Sequence, residues 1–525
     1  MDRNNDRPKN KPKLYYILVI IVSVLAIAAS ALLMVSAATR TAVANNMAEQ
    51  KMIIEWEKPV ISIIMLAVFF VIGYFVISRT SEYSIGSLFV FTILFHAIAG
   101  LALILFGRTA PGGDAAAVFK MAEQMAAGDL SFIGYDDSYL SYYPQQIGLT
   151  VFLAFFLKLL SFLPYEFAAH HAIKALYVVF NCITVAFGYL AVKELWRSKV
   201  VCATFLYLSI FNIPFIVFSS FIYGEVPSFM AMTIAMYFIF RLEKKTGPAV
   251  LNIIFTVLFV TLSVFVRKNS LIFMIAAIIV LLLIFISCKK AEYLITAAAV
   301  LVCCLAVLPL TLKYFEQKTG READSGVTMY SYLAMGMQDT SSRGPGWYNG
   351  FNFDTYRDTG MNAKETNRIS SEVIKERREY FKNNPSECFK FYREKFQTQW
   401  CDPTLASCQA TLTDFGGRAQ IINDIYNGEY NKYFVALCNM FQNAVYIGVF
   451  IWSLLSIKKI LSIRNYRGNL AVFLGIITVI GGLMFHMMWE ANSRYIYPYA
   501  MLLVPYAAYG FGHLIEKNIF NDFDD

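Results

Sequence analysis

The chain has 525 residues, of which 57% are hydrophobic and 16% charged, with a mean hydropathy of +0.51. That balance excludes a single soluble domain, because too little polar surface remains to cover a core of this size. The formal net charge of +8 resides mainly in short basic connections between apolar stretches, which argues against a nucleic-acid partner.

A bilayer core of about 30 Å takes roughly 20 apolar residues per helix. Stretches of that kind are predicted near 14–36, 59–78, 84–106, 166–191, 200–220, 226–240, 248–266, 271–287, 293–312, 435–457, 469–488 and 496–514, about twelve in all. The first follows a basic leader (Arg3, Arg7, Lys9, Lys11, Lys13) and lacks a signal-peptidase pattern, so it is expected to be retained as a helix. A further apolar stretch, Ile147 to Leu163, carries Lys158 between Pro144 and Pro164 and is expected to lie in, or re-enter from, the outer interface.

With that stretch not crossing, the strongly basic connections share one side: the leader, Arg79, Lys193/Arg197/Lys199, Arg241/Lys244/Lys245, Lys289/Lys290 and Lys458/Lys459/Arg464/Arg467. The positive-inside rule makes that side the cytoplasm. The expected fold is an all-α polytopic membrane protein of the plasma membrane. Its divisions are a leader (1–13), helices (14–106), an extracytoplasmic loop with a juxtamembrane helix (107–165), helices (166–312), a small α-rich extracytoplasmic domain (313–434), helices (435–514) and a cytoplasmic tail (515–525). Of nine cysteines, Cys401 and Cys408 are spaced for a disulfide that the sequence leaves open, and no CxxC spacing points to a metal.

The most informative stretch runs Pro111-Gly-Gly-Asp114 into Ala-rich sequence, on to Gly128-Asp129 and Tyr135-Asp-Asp137, then Ser141-Tyr142-Tyr143-Pro144. Asp114 opens a short helix with an interfacial apolar face, where a carboxylate is either an N-cap or a base. Arg267 and Lys268, in Phe265-Val-Arg-Lys-Asn-Ser270, and Arg494 lie in short outward turns, against the basic bias of the other side. Ionisable groups at membrane depth are expensive unless paired or functional, and a lipid phosphate suits an arginine fork. Snorkelling to ordinary headgroups is the plainer reading. His170 and Lys174, at i,i+4 with His171 beside them, are placed to extend the same patch, and His486 is read as structural.

The order of these motifs resembles the GT-C superfamily of lipid-phosphate-sugar glycosyltransferases, in the branch of the protein O-mannosyltransferases and the lipid A aminoarabinose transferases. Asp114, Phe119, Ala122, Met125, Gly128-Asp129 and Tyr142-Tyr143-Pro144 fall in the family's order, as do Glu166-Phe-Ala-Ala-His170, Phe221-Ile-Tyr-Gly-Glu225 and Glu490-Ala-Asn-Ser-Arg494-Tyr495. Two positions depart from it. Ala115 stands where many relatives have a second acidic residue, and His170 stands in place of an arginine.

The resemblance implies an inverting transfer of a sugar from a polyprenyl-phosphate donor to a hydroxyl of a glycan, lipid or protein acceptor. Asp114 would be the general base; Arg267, Lys268, Arg494, His170 and Lys174 would hold the lipid phosphate; Glu225, Tyr142, Tyr143 and Tyr495 would contact substrate. The resemblance fixes no cofactor, and the use of a divalent cation is left open. The aromatic segment Tyr135 to Tyr143 and the loop with Trp347 and Tyr348 are further candidates for stacking on a sugar. The alternatives are a transporter or flippase of a lipid-linked or polar solute, disfavoured because the candidate groups collect at helix ends, and a scaffold that presents residues 313–434 to partners.

Overall fold

The computed structural model describes residues 13–46, 51–134, 138–162, 169–340, 343–462 and 469–521. Three long helices open the chain, α1 (Lys13–Thr39), α2 (Pro59–Tyr83) and α3 (Ile85–Gly107), and an antiparallel hairpin, β1 (Arg40–Asn46) with β2 (Lys51–Trp56), joins the first two. Then come α4 (Asp114–Ala126), α5 (Tyr139–Tyr142), α6 (Ile147–Leu160) and α7 (Ala169–Trp196). The next helices are α8 (Lys199–Ile210), α9 (Ile213–Val217), α10 (Glu225–Lys244), α11 (Ala249–Val266), α12 (Leu271–Cys288) and α13 (Ala291–Thr319). Beyond them lie α14 (Met329–Gly336), α15 (Phe351–Asp358), α16 (Ala363–Asn383), α17 (Pro385–Trp400), α18 (Ser407–Ala410) and α19 (Gln420–Asn427). The chain closes with α20 (Asn431–Ser462), α21 (Leu474–Met488) and α22 (Tyr497–Asn521).

Ten helices among the described residues are long and apolar enough to cross a membrane, or eleven if α8 and the bent segment after it are one span broken by 61°. The protein is an integral membrane protein, predominantly helical. Of the twelve expected stretches, α22 has the length, but its tyrosines, prolines and glycines leave it short of the same apolarity. The expected all-α polytopic fold agrees with this helical structure, to which one short hairpin is added. The β1–β2 hairpin pairs Arg40 with Trp56 and Val43 with Ile53, and it was missed because Thr41 to Asn46 is too short and too poor in branched residues to read as a strand.

Helix α6 is 14 residues long, about 21 Å, too short for a bilayer core. The chain leaves α3 and enters α7 at one end of the bundle, since Lys174 Nζ in α7 donates to Thr109 O just after α3 (2.7 Å). The segment after α13 sits at that same end, and the bundle's basic connections sit at the other, where Ser198 hydrogen-bonds to Glu516 and Glu243 accepts from Leu470 N (2.6 Å). Residues 1–12, Arg464 and Arg467 lie outside the described residues, as do Tyr135-Asp-Asp137, Glu166 to Ala168 and the last four residues. Helix α13 runs past 312 to Thr319, and α20 starts at Asn431.

The hairpin packs onto the segment after α13 rather than standing apart from it. Ala42 N donates to Cys401 O (2.8 Å) and Met52 N to Arg343 O (2.9 Å), and Ala42 and Met52 share a small core with Trp347, Cys401 and Ala491. Cys401 and Cys408 are both buried free thiols.

Candidate active site

The loop after α3 is sewn to the segment beyond α13. Ala110 N donates to Thr413 O (2.8 Å), Phe415 N to Arg108 O (3.1 Å) and Arg418 Nε to Gly107 O (2.8 Å). Gly113 then takes φ 52° and ψ −129°, which a side chain would resist, and it is this glycine that caps α4. Helix α4 packs its Ala115, Val118, Phe119 and Ala122 stripe against α6. Asp114, in the first turn, is exposed and makes no capping bond. The N-cap reading of Asp114 is therefore corrected: a backbone turn at glycine has taken the capping position, and the carboxylate is left over.

The charge of Asp114 reaches a group of four tyrosines from three other segments. Burial raises the phenols of Tyr139, Tyr143, Tyr223 and Tyr348, and the field of Asp114 adds to each. Tyr223 is fixed from both ends, its hydroxyl accepting from Gln146 Nε2 (2.5 Å) and its carbonyl from Tyr177 Oη (2.8 Å). Glu490, in the turn after α21, also faces Asp114 and accepts from Tyr495 Oη (3.1 Å).

Beside this group lies a buried ion cluster built from three turns. Glu225 opens α10, Arg267 follows α11, and Arg494 precedes α22. Arg267 pairs with Glu225 Oε1, and Arg494 Nε lies 3.4 Å from the same oxygen. The Glu225 side chain is 0% exposed and those of the arginines 9% and 17%, so one carboxylate faces two guanidiniums away from bulk water. The three groups carry a net positive charge, and both Glu225 oxygens as well as the Nε groups of both arginines are held by charge without an aligned hydrogen bond. The surplus positive charge, away from bulk water, would stabilise a further anion. The Arg494 guanidinium also lies over Phe221 (5.2 Å), Tyr223 (5.5 Å) and Tyr495 (5.6 Å). Burial is the largest influence and works against its charge, but Glu225, Tyr495, Tyr223 and Asp114 together hold its pKa above the ordinary guanidinium value. Helix α6 meets the end of α11 so closely that a Cβ on Gly148 would strike the Phe265 carbonyl, which sets the Arg267 turn against the α4–α6 loop.

The structure thus brings together Asp114, Tyr143, Glu225, Arg267, Arg494 and Tyr495. It adds Glu490, Tyr139, Tyr223 and Tyr348, of which Tyr348 and, within the aromatic segment Tyr135 to Tyr143, Tyr139 were anticipated as stacking residues. Lys268 is exposed beside Arg267, without a partner among the described residues. Three expectations are corrected. Lys174 is fully buried on the Thr109 carbonyl, and His170 stacks on Phe415 (4.0 Å), so both brace the loop after α3 rather than the arginine cluster. Tyr142 is buried against Phe353 (4.4 Å) and Tyr356 (6.0 Å). Trp347 is buried with Nε1 on Thr398 Oγ1 (3.0 Å), away from any sugar face. His486 is buried against Tyr495 and Tyr499, as expected of a structural residue.

Burial pushes the Glu490 carboxyl up to about 7 from an ordinary 4.5, Asp114 adding and Tyr495 and Arg494 opposing. A raised carboxyl favours folding most where both states are protonated. That contribution is complete below about pH 4.5 and lost as pH rises through about 7. Glu490→Gln mimics the protonated form. It should flatten the fall in Tm between pH 5 and 7 relative to the parent, read by scanning fluorimetry in detergent; an unchanged slope would remove Glu490 as the titrating group.

No family model matches the chain, and no curated protein matches it in sequence. Among the described residues no group of three His, Cys, Asp or Glu side chains is arranged to hold a metal ion.

Proposed function

We propose that the protein is a membrane glycosyltransferase that moves a sugar from a polyprenyl phosphate to an acceptor hydroxyl at the extracytoplasmic face. The observation that carries this reading is an uncapped, exposed carboxylate, Asp114, set beside tyrosines and a buried cluster with surplus positive charge. A base and an anion site are the two things such a transfer needs. The leaving group is already a phosphate, so it requires charge stabilisation and no general acid. Asp114 takes the proton of the acceptor hydroxyl as its oxygen attacks the anomeric carbon. The bond to the donor phosphate breaks with inversion, and Arg267 and Arg494 receive the developing charge. The tyrosines present flat faces on which a sugar ring can stack. The sidedness rests on the basic connections gathered at the opposite end of the bundle. The GT-C-like motif order agrees with the same chemistry, and Glu225 serves to hold both guanidiniums in place.

The transporter reading draws on one feature: α8 breaks by 61° at buried Asn212, beside a small cavity lined in part by Thr184, Ser209 and Thr233. Discontinuous helices are a transporter device. The same break delivers the Phe221 to Glu225 turn to the site, which gives it a role in either reading.

One experiment separates them. Purified protein in sealed, right-side-out vesicles is given a panel of polyprenyl-phosphate sugars and hydroxyl acceptors on the outside only. Release of free polyprenyl phosphate is the expected result. Movement of intact donor across the bilayer without cleavage would favour a transporter, and inertness towards the whole panel would overturn the enzyme.

A further inference from the structure

Lys395 lies in α17, outside the site, and is 0% exposed. Its ammonium donates to Gly336 O (2.5 Å), at the end of α14, and to Trp489 O (2.7 Å), in the turn after α21. A third segment closes on the same point. Gly346 N donates to Gln338 O (2.8 Å), Ala491 N donates to Gly346 O (2.7 Å), and a Cβ on Gly346 would press on Lys395 Nζ. Gly346 takes φ 72°, so glycine suits both the conformation and the contact. Gln399, one turn further along α17, adds a weaker bond from Nε2 to His486 O (3.4 Å).

Each segment that Lys395 gathers carries a residue of the site within one helical turn of the clamp. Tyr332 lies four residues before Gly336, Tyr348 two residues after Gly346, and Glu490 directly after Trp489. Tyr332 belongs to the same electrostatic group: burial raises its phenol, and Tyr143, Glu490, Tyr495 and Tyr223 all add. A buried ammonium is an expensive way to join backbone segments, since an amide would bridge two carbonyls without desolvating a charge. What the lysine head offers is donors on a single point, here meeting two carbonyls from unrelated directions; burial pushes its pKa down to about 7, Glu490 opposing, and the neutral amine keeps both N–H donors.

We infer that Lys395 is a positioning residue, clamping the turns that bear Tyr332, Tyr348 and Glu490 and so holding these three side chains in one group at the site. The inference rests on the proposed transfer for its kinetic consequence, though the clamp itself has a readout of its own. A misplacement of site groups by about 1 Å is enough to cost on the order of 10²-fold in rate. Arg267 and Glu225 sit on α11 and α10, outside the clamp, while Arg494 lies five residues after Trp489 in the clamped turn, so donor binding should weaken less than turnover when the clamp is lost.

The test compares the full-length parent with Lys395→Met, which keeps the stem and removes the donors, and with the milder Lys395→Gln. Hydrogen exchange of the purified proteins should show protection lost at residues 344–348 and 489–492 in Lys395→Met, with α16 and the membrane helices unchanged. Turnover per donor-binding site should fall about 10- to 100-fold with a smaller change in donor KM, and Lys395→Gln should recover part of it. Combined with Glu490→Gln, Lys395→Met should cost less than the two separate losses multiplied, because both act on the same turn. Unchanged exchange in those two segments would overturn the clamp. Lost protection with full turnover per binding site would reduce Lys395 to a scaffold and overturn the positioning role. A parent inert towards every donor would count against the transferase reading, and the exchange measurement would still decide the clamp.

Discussion

Asp114→Asn is expected to insert, fold and bind donor lipid like the parent and to lose transfer by about 10²- to 10⁴-fold, the usual penalty for removing a general base. The change is a clean one for this site. Gly113 caps α4 and the Asp114 carboxylate makes no capping bond, so asparagine removes no structural contact. The exposed carboxylate of Asp129 supplies the comparison. It accepts from Ser131 N (2.8 Å) and Gln124 Nε2 (3.2 Å) in a turn at the far end of α4, so Asp129→Asn should cost much less in rate. Release of polyprenyl phosphate, normalised to folded protein, measures both. Near-normal turnover by Asp114→Asn would sink the assignment and move the search to Glu490, the carboxylate that shares its electrostatic group.

The second large effect concerns the arginines. Arg494→Ala and Arg267→Ala should each weaken use of the donor by about 10- to 100-fold, since a charge-assisted contact in a buried setting is worth roughly 1.5–3 kcal/mol. Part of any loss will be structural, because either change leaves the buried Glu225 with one partner instead of two. Glu225→Gln divides the two contributions. It discards the carboxylate and retains both guanidiniums, so it should lower Tm while keeping or tightening affinity for the donor phosphate. Lys458→Ala, at the opposite end of the bundle, is the control. Donor binding that is equal in all four variants would remove the phosphate site.

Much of this site was legible because its residues break local rules. Arg267 and Arg494 stood out as positive charges in turns where the basic bias forbids them, and Glu225 as a lone carboxylate in its turn; the structure pairs these three with one another. Asp114 stood out because two glycines precede it. What the sequence could not resolve was direction. The i,i+4 spacing of His170 and Lys174 puts them on one face of α7, but only the fold shows that this face meets Thr109 and Phe415. Tyr142 and Tyr143 are neighbours in sequence and point to different surroundings, one against Phe353, the other towards Asp114. Lys395 was invisible because a lysine in a helix of ordinary polar composition is normally solvated. Its burial depends on backbone from three distant segments. The hairpin escaped notice for a similar reason, as its strands are completed by carbonyls of Cys401 and Arg343 and not by an apolar pattern of their own.

That hairpin bears on how the molecule can be divided. The sequence invites a cut before α3, with the first two helices set aside as an attachment to a self-sufficient machine. The backbone bonds of Ala42 and Met52, and the placing of both side chains among Trp347, Cys401 and Ala491, make such a cut costly. Ala491 is next to Glu490, and Trp347 next to Tyr348, so the first turn outside the bilayer forms the back wall of the proposed site. Modularity in this chain therefore does not follow the order of its spans: a fragment beginning at Ser84 would retain every residue assigned to chemistry and lack the surface that holds two of them upright.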